Sequence, residues 1–166
     1  MLLRVLGTVS LLGLALVFSE VALTADDKAD DKEEKEVEFP ELPKGAGKID
    51  KEAPKTFTET KSGLKYRILR KTDGKKAKAE QSVTVNYHGW LDNKKVFDSS
   101  YKRGESISFP LKRVIPGWTE GMQLVGEGGM IELEIPYKLG YGERGYPPDI
   151  PPKATLHFLV ELLEVK

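Results

Sequence analysis

From Thr56 onward the chain breaks into short runs of alternating apolar and polar residues, separated by Gly, Pro and Asp. Such period-two runs predict half-buried antiparallel strands. In Ser82–Trp90, Val83, Val85 and Tyr87 share one face while Thr84, Asn86 and His88 share the other. Ile131, Leu133 and Ile135 alternate with Glu132 and Glu134, which the pattern assigns to a solvent face. Near the C-terminus Leu156, Phe158, Val160 and Leu162 line up on one face, with His157 on the other. A single segment reads as a helix: Pro116 suits its first position, Trp118, Met122 and Val125 recur at three-to-four spacing, and Gly126 suits its end. Several antiparallel strands with one short helix of about three turns predict an α+β domain.

The N-terminal third follows another pattern. Residues 1–25 carry an early Arg4, then a leucine-rich apolar stretch, then small residues up to Ala25, which reads as a cleavable secretory signal peptide. The apolar run between Arg4 and Glu20 is short for a membrane span, which takes about 20 residues, so no stable span is expected after cleavage, and an uncleaved N-terminal anchor is the alternative. Residues 26–55 are dense in Asp, Glu and Lys, hold Pro40, Pro43 and Pro54, and offer few apolar side chains. They are expected to form a disordered charged linker. Residues 56–166 then form the one folded domain, and the short polar stretch before it suits a monomer.

Composition removes several function classes. Twenty-six basic and 26 acidic residues give zero formal charge in a chain of 166 residues, so no long-range field draws in nucleic acid. The absence of cysteine rules out disulfides, thiolate catalysis and thiolate metal sites. Both histidines fall on outward strand faces, and neither a phosphate-binding glycine loop nor a His–Glu metal spacing occurs. No metal and no cofactor is therefore expected.

What remains is a set of aromatics at strand and loop ends: Tyr87, Phe97, Phe109, Trp118, Tyr137, Tyr141, Tyr146 and Phe158. Aromatics in a small β domain are usually core. Five blocks, however, occur in order and in register: Val85-Asn-Tyr-His-Gly-Trp, Val96-Phe-Asp-Ser-Ser, Val114-Ile-Pro-Gly-Trp-Thr-Glu-Gly, Leu139-Gly-Tyr-Gly and Ile150-Pro-Pro-Lys-Ala-Thr-Leu-His-Phe-Leu-Val-Glu-Leu-Leu. Together they resemble the FKBP family of peptidyl-prolyl cis/trans isomerases over the whole proposed domain.

The resemblance implies a curved antiparallel sheet of about five to six strands wrapped around one short α-helix. It also implies a shallow apolar pocket for a proline ring, with Trp118 as floor and Tyr87, Phe97, Ile107, Phe109, Val114, Ile115, Tyr141 and Phe158 as walls. Asp98 would sit at the edge, partnered by Arg103 or Tyr87. The Ile115 N–H and the Tyr141 hydroxyl would meet ligand carbonyls, and Tyr146 and Ile150 would lie on the overhanging loop. Ile107 and Tyr146 depart from the family's usual residues at their positions, which implies altered preference. The implied activity is isomerisation of X-Pro bonds in exported, periplasmic or secreted polypeptides, with macrolides as further ligands of the pocket. A proline-segment-binding chaperone with little isomerase activity is the alternative, and a purely structural tethered domain is a third.

Overall fold

The alternation along Ser82–Leu91 becomes the longest strand of a sheet, paired on both sides. The structure is a computed structural model and describes residues 35–166. In chain order the strands are β1 (Thr58–Glu59), β2 (Lys65–Arg70), β3 (Ser82–Leu91), β4 (Val96–Ser99), β5 (Ile107–Pro110), β6 (Met130–Ile135) and β7 (Leu156–Val165). They form one seven-stranded sheet in the order β1-β2-β6-β7-β3-β4, with β5 also pairing β3, and every pairing is antiparallel. The sheet exceeds the expected strand count because a two-residue edge strand, β1, adds to the others.

The inward residues are those the alternation selected. Val83, Val85, Ile131, Leu133, Ile135, Leu156, Val160 and Leu162 are fully buried, and Tyr87 and Phe158 nearly so. They pack with Trp118, Met122 and Val125 into one core, where each buried aliphatic side chain contributes about 1.5–3 kcal/mol.

The helix is shorter than its apolar spacing predicts. α1 (Ser100–Arg103) is a single turn, and α2 (Pro116–Gly121) ends at Gly121. The chain then tightens, with Gln123 and Leu124 donating to the carbonyls three residues back, and Gly126 bridges to Lys76. Met122 and Val125 still reach the core from these turns. Glycine is a poor helix former, yet here it sets the packing distance. A Cβ on Gly117 or Gly121 would collide with Ile135 or Leu133 of β6, so α2 lies directly on the sheet.

The other face of the sheet is not the solvent face that the alternation predicted. Residues 35–55, expected as disordered linker, run across it as a strap without helix or strand. The Val37 N–H donates to the Lys55 carbonyl at 2.9 Å, and the Asp50 N–H donates to that of Leu69 at 2.8 Å. Phe39, Ala46 and Ile49 close over Leu69, Trp90, Met130 and Leu159. At its centre lies Arg67 of β2, 1% exposed. Its guanidinium donates to Glu132 (2.7 Å) and to the carbonyls of Val37, Glu38 and Lys55 (2.6, 2.7 and 3.0 Å), between the rings of Phe39 and Phe57. Glu161 similarly accepts from the Gly47 N–H, Arg70 and the Tyr101 hydroxyl. Glu132 is thus buried under the strap, and burial pushes its carboxyl up while the Arg67 bond opposes that.

The predicted signal peptide, residues 1–25, and the first part of the linker lie outside the described residues. Among the described residues no helix is long and apolar enough to cross a membrane.

Candidate functional site

The site grows out of the centre of the sheet. At Gly89 strand β3 carries no side chain, and a Cβ there would come within 2.7–2.9 Å of the rings of Phe97 and Phe158. That gap lets the two rings meet edge to face at 5.4 Å between centroids. Trp118, 5% exposed, stands on α2 and receives Tyr87, Phe109 and Phe158 at centroid distances of 5.4, 5.2 and 5.2 Å. These are the edge-to-face geometries that aromatic quadrupoles favour. A set of interlocked rings on strands and a helix is a rigid surface, held by packing.

Above it opens a cavity of about 690 Å³ lined by Tyr87, Phe97, Asp98, Phe109, Arg113, Val114, Ile115, Trp118, Tyr141, Tyr146, Asp149, Ile150 and Phe158. Ile150 is buried, whereas Tyr146 is 63% exposed and its ring lies tilted against that of Tyr141 at 5.4 Å between centroids. The overhanging loop is folded back on itself by the reciprocal Tyr146–Ile150 backbone bonds of 2.8 and 3.0 Å. Among the described residues neither the Ile115 N–H nor the Tyr141 hydroxyl has a protein partner, so both are available to a ligand. Burial, and then the negative charge that Tyr146 and Asp98 can bring nearby, push the Tyr141 hydroxyl up, so it remains a donor at neutral pH.

Asp98 is held at the rim by local sequence. Ser99 caps α1 by accepting from the Lys102 N–H, and Gly104 ends the turn at φ 75°, a left-handed conformation that glycine adopts without strain. One helical turn therefore returns Arg103 to Asp98, and the two form an ion pair. The Tyr87 hydroxyl donates to the other Asp98 oxygen and accepts from Arg103 at 3.0 Å. Burial would raise the Asp98 carboxyl, but the bonds from Tyr87, Arg103 and the Ser99 N–H outweigh it and hold the group below its ordinary range. Tyr87 is itself pushed up to about 12, first by burial and then by its bond to Asp98.

A family model described as FKBP-type peptidyl-prolyl cis-trans isomerase matches residues 73–163. The chain belongs to this family. It is 50% identical over 105 residues to FkpA of Escherichia coli K12, covering 63% of this chain and 38% of that protein. To the isomerase Mip of Coxiella burnetii it is 46% identical over 105 residues, covering 63% and 46%. The crystal structure of E. coli FkpA superposes with a TM-score of 0.64 at 48% identity, over 66% of this chain and 51% of that one. The crystal structure of AtFKBP13 gives 0.61 at 34% identity, over 66% and 98%. The chain thus spans about half or less of the curated relatives it matches.

Against the residues expected from the FKBP resemblance, the cavity gathers all but one. Ile107 is the exception. It shares the inner face with Val85, which it opposes, and with Phe109, but opens the short edge strand β5, where it is 40% exposed and outside the cavity. Conversely, Gly89, Arg113 and the side chain of Asp149 were not assigned to the site from sequence. Gly89 falls within the Val85–Trp90 block, but an absent side chain gives no apolar signal. The two charges belong to a 3₁₀ turn and a loop whose course is set only by the fold.

A methyl group at Gly89 tests whether this gap shapes the pocket. Gly89→Ala is expected to displace Phe97 and Phe158 and to cost about 1–3 kcal/mol, the usual range for overpacking. Thermal unfolding would register the loss. An unchanged melting temperature would mean that the rings move aside freely.

Proposed function

We propose that this chain is a peptidyl-prolyl cis/trans isomerase acting on proline-containing segments of exported polypeptides. The observation that carries the reading is the open cavity floored by Trp118 and walled by Tyr87, Phe97, Phe109 and Phe158, beside a fixed carboxylate. Rotation about an X-Pro amide is opposed by a barrier of about 18–20 kcal/mol that arises from resonance between nitrogen and carbonyl. Twisting loses the charge separation of the planar form, so the twisted amide needs less solvation and gains in an apolar, water-poor site. Binding it about 5–8 kcal/mol better than the planar form would speed rotation by roughly four to six orders of magnitude.

In this reading the prolyl ring sits on Trp118, and the Ile115 N–H and the Tyr141 hydroxyl take the flanking carbonyls. Asp98 acts as an oriented charge near the rotating carbonyl. No proton is transferred, so Asp98 needs only to stay ionised. Macrolides of the kind FKBP pockets hold would occupy the same floor. The signal-like residues 1–25 support export to a periplasm or beyond, where slow uncatalysed isomerisation, tens to hundreds of seconds, would limit folding. We read the chain as a monomer.

The test is cis-to-trans conversion of a Leu-Pro peptide by the purified chain, beside Asp98→Asn and Phe158→Ala variants checked for folding. Acceleration by the parent chain, lowered about tenfold or more in folded variants, supports catalysis by this pocket, each tenfold being about 1.4 kcal/mol. No acceleration by a folded parent chain rejects the reading in favour of a proline-binding module. Asp98 also sets a pH dependence. A depressed folded value means that its contribution is complete above the ordinary carboxylate pKa of about 3.9 and is lost as pH falls through the lower folded value. Activity should therefore be insensitive to this group from pH 6 to 9, and a carboxylate titration near neutrality would contradict the assignment.

A further inference from the structure

Among the described residues, three charged side chains line the cavity: Asp98, Arg113 and Asp149. Two of them are compensated from outside it. Asp98 is paired with Arg103, and Asp149 has the Lys95 ammonium at 3.9 Å. Arg113 is exposed, and among the described residues it has no carboxylate within ion-pair distance and no hydrogen-bond partner. Its backbone position is nonetheless well defined. It closes the 3₁₀ turn Leu111–Arg113, whose first residue is fully buried and accepts a 2.6 Å bond from Thr119 of α2. It stands two residues before Ile115, whose N–H faces the cavity's ligand in the reading above.

We infer that Arg113 determines substrate preference: the pocket favours segments with an acidic residue beside the proline and disfavours those with a basic one. The inference rests on the isomerase reading and extends it to substrate class. Each carboxylate near the ring floor already has its counter-ion, so the charge left for a substrate side chain to meet is the guanidinium. An arginine at an open rim also keeps its five donors for a bidentate carboxylate. The aromatic floor accepts the proline whatever its neighbours, and the rim charge then discriminates among them. Because the rim is wet, the interaction is modest and salt-sensitive. Unit charges roughly 7 Å apart in water imply about a threefold change per charge, or three- to tenfold between Glu and Lys.

The experiment uses the full chain and chromogenic peptides that carry Glu, Leu or Lys immediately before the proline, with a second set carrying them immediately after it. kcat/KM for the Glu and Lys peptides is normalised to the Leu peptide of the same enzyme form, so any general effect of a substitution cancels. The expected result is a Glu/Lys ratio of about three to ten in at least one set, shrinking toward one in 0.5 M salt. Arg113→Gln should abolish the preference and Arg113→Glu should reverse it. A ratio near one in both sets, a preference for Lys, or a ratio unaltered in Arg113→Glu would overturn the inference. Failure to turn over the Leu peptide at all would instead reject the isomerase reading beneath it.

Discussion

Replacing Arg67 by methionine is expected to destabilise the domain by about 3–5 kcal/mol, because the change strands the Glu132 carboxylate under the strap without its partner. It would also leave the Val37 and Glu38 carbonyls without a donor and the Lys55 carbonyl with the Val37 N–H alone. For a domain of this size the melting temperature should drop roughly 10 °C or more. Limited proteolysis should then cut between residues 35 and 55 in the variant and spare that stretch in the parent. Adding Glu132→Leu removes the stranded charge but not the two unmet carbonyls, so the double variant should recover only part of the loss. Full recovery would show that the strap contributes little, and a single variant as stable as the parent would show that it is not docked in solution.

Trp118→Ala should be comparably severe. Emptying the floor under three rings costs about 3–5 kcal/mol in stability and removes the surface on which the prolyl ring is read to sit. Trp118→Leu separates the two effects, since a mid-sized apolar side chain leaves a smaller void. It should keep a cooperative thermal transition while isomerase activity falls about tenfold, or about 1.4 kcal/mol. Activity retained in folded Trp118→Leu would move the catalytic role from the indole to the surrounding walls.

These two residues show what a linear reading can and cannot reach. Trp118 was legible because its block matched in sequence, in spacing and in the apolar periodicity with Met122 and Val125. Arg67 was not. In Lys65–Arg70 it occupies an outward position by alternation, where a charged residue ordinarily means solvent. Its burial depends on residues 35–55, whose composition is that of a polar linker. Charged residues dominate positions 26–55, and Phe39, Ala46 and Ile49 are too sparse among them to mark a buried face. The strap is held instead by a side-chain fork satisfying backbone carbonyls from distant residues, and a hydrogen bond between an arginine and a main-chain oxygen leaves no trace in hydropathy.

The sequence by itself determined the inward faces of β3, β6 and β7, the position of the short helix, the family and nearly all of the pocket. Each follows from local periodicity or from contiguous blocks whose side-chain types are constrained by one another. Only the tertiary structure decided where α2 stops, that a missing side chain at Gly89 makes room for two rings, that Ile107 stays outside, and that a strap covers the second face. It also decided that, among the described residues, Arg113 is left as the unpaired charge at the rim. These depend on which residues far apart in the chain come within a few ångströms of each other, and that distance is set by how the sheet packs on α2 and on the strap, not by any residue's own character.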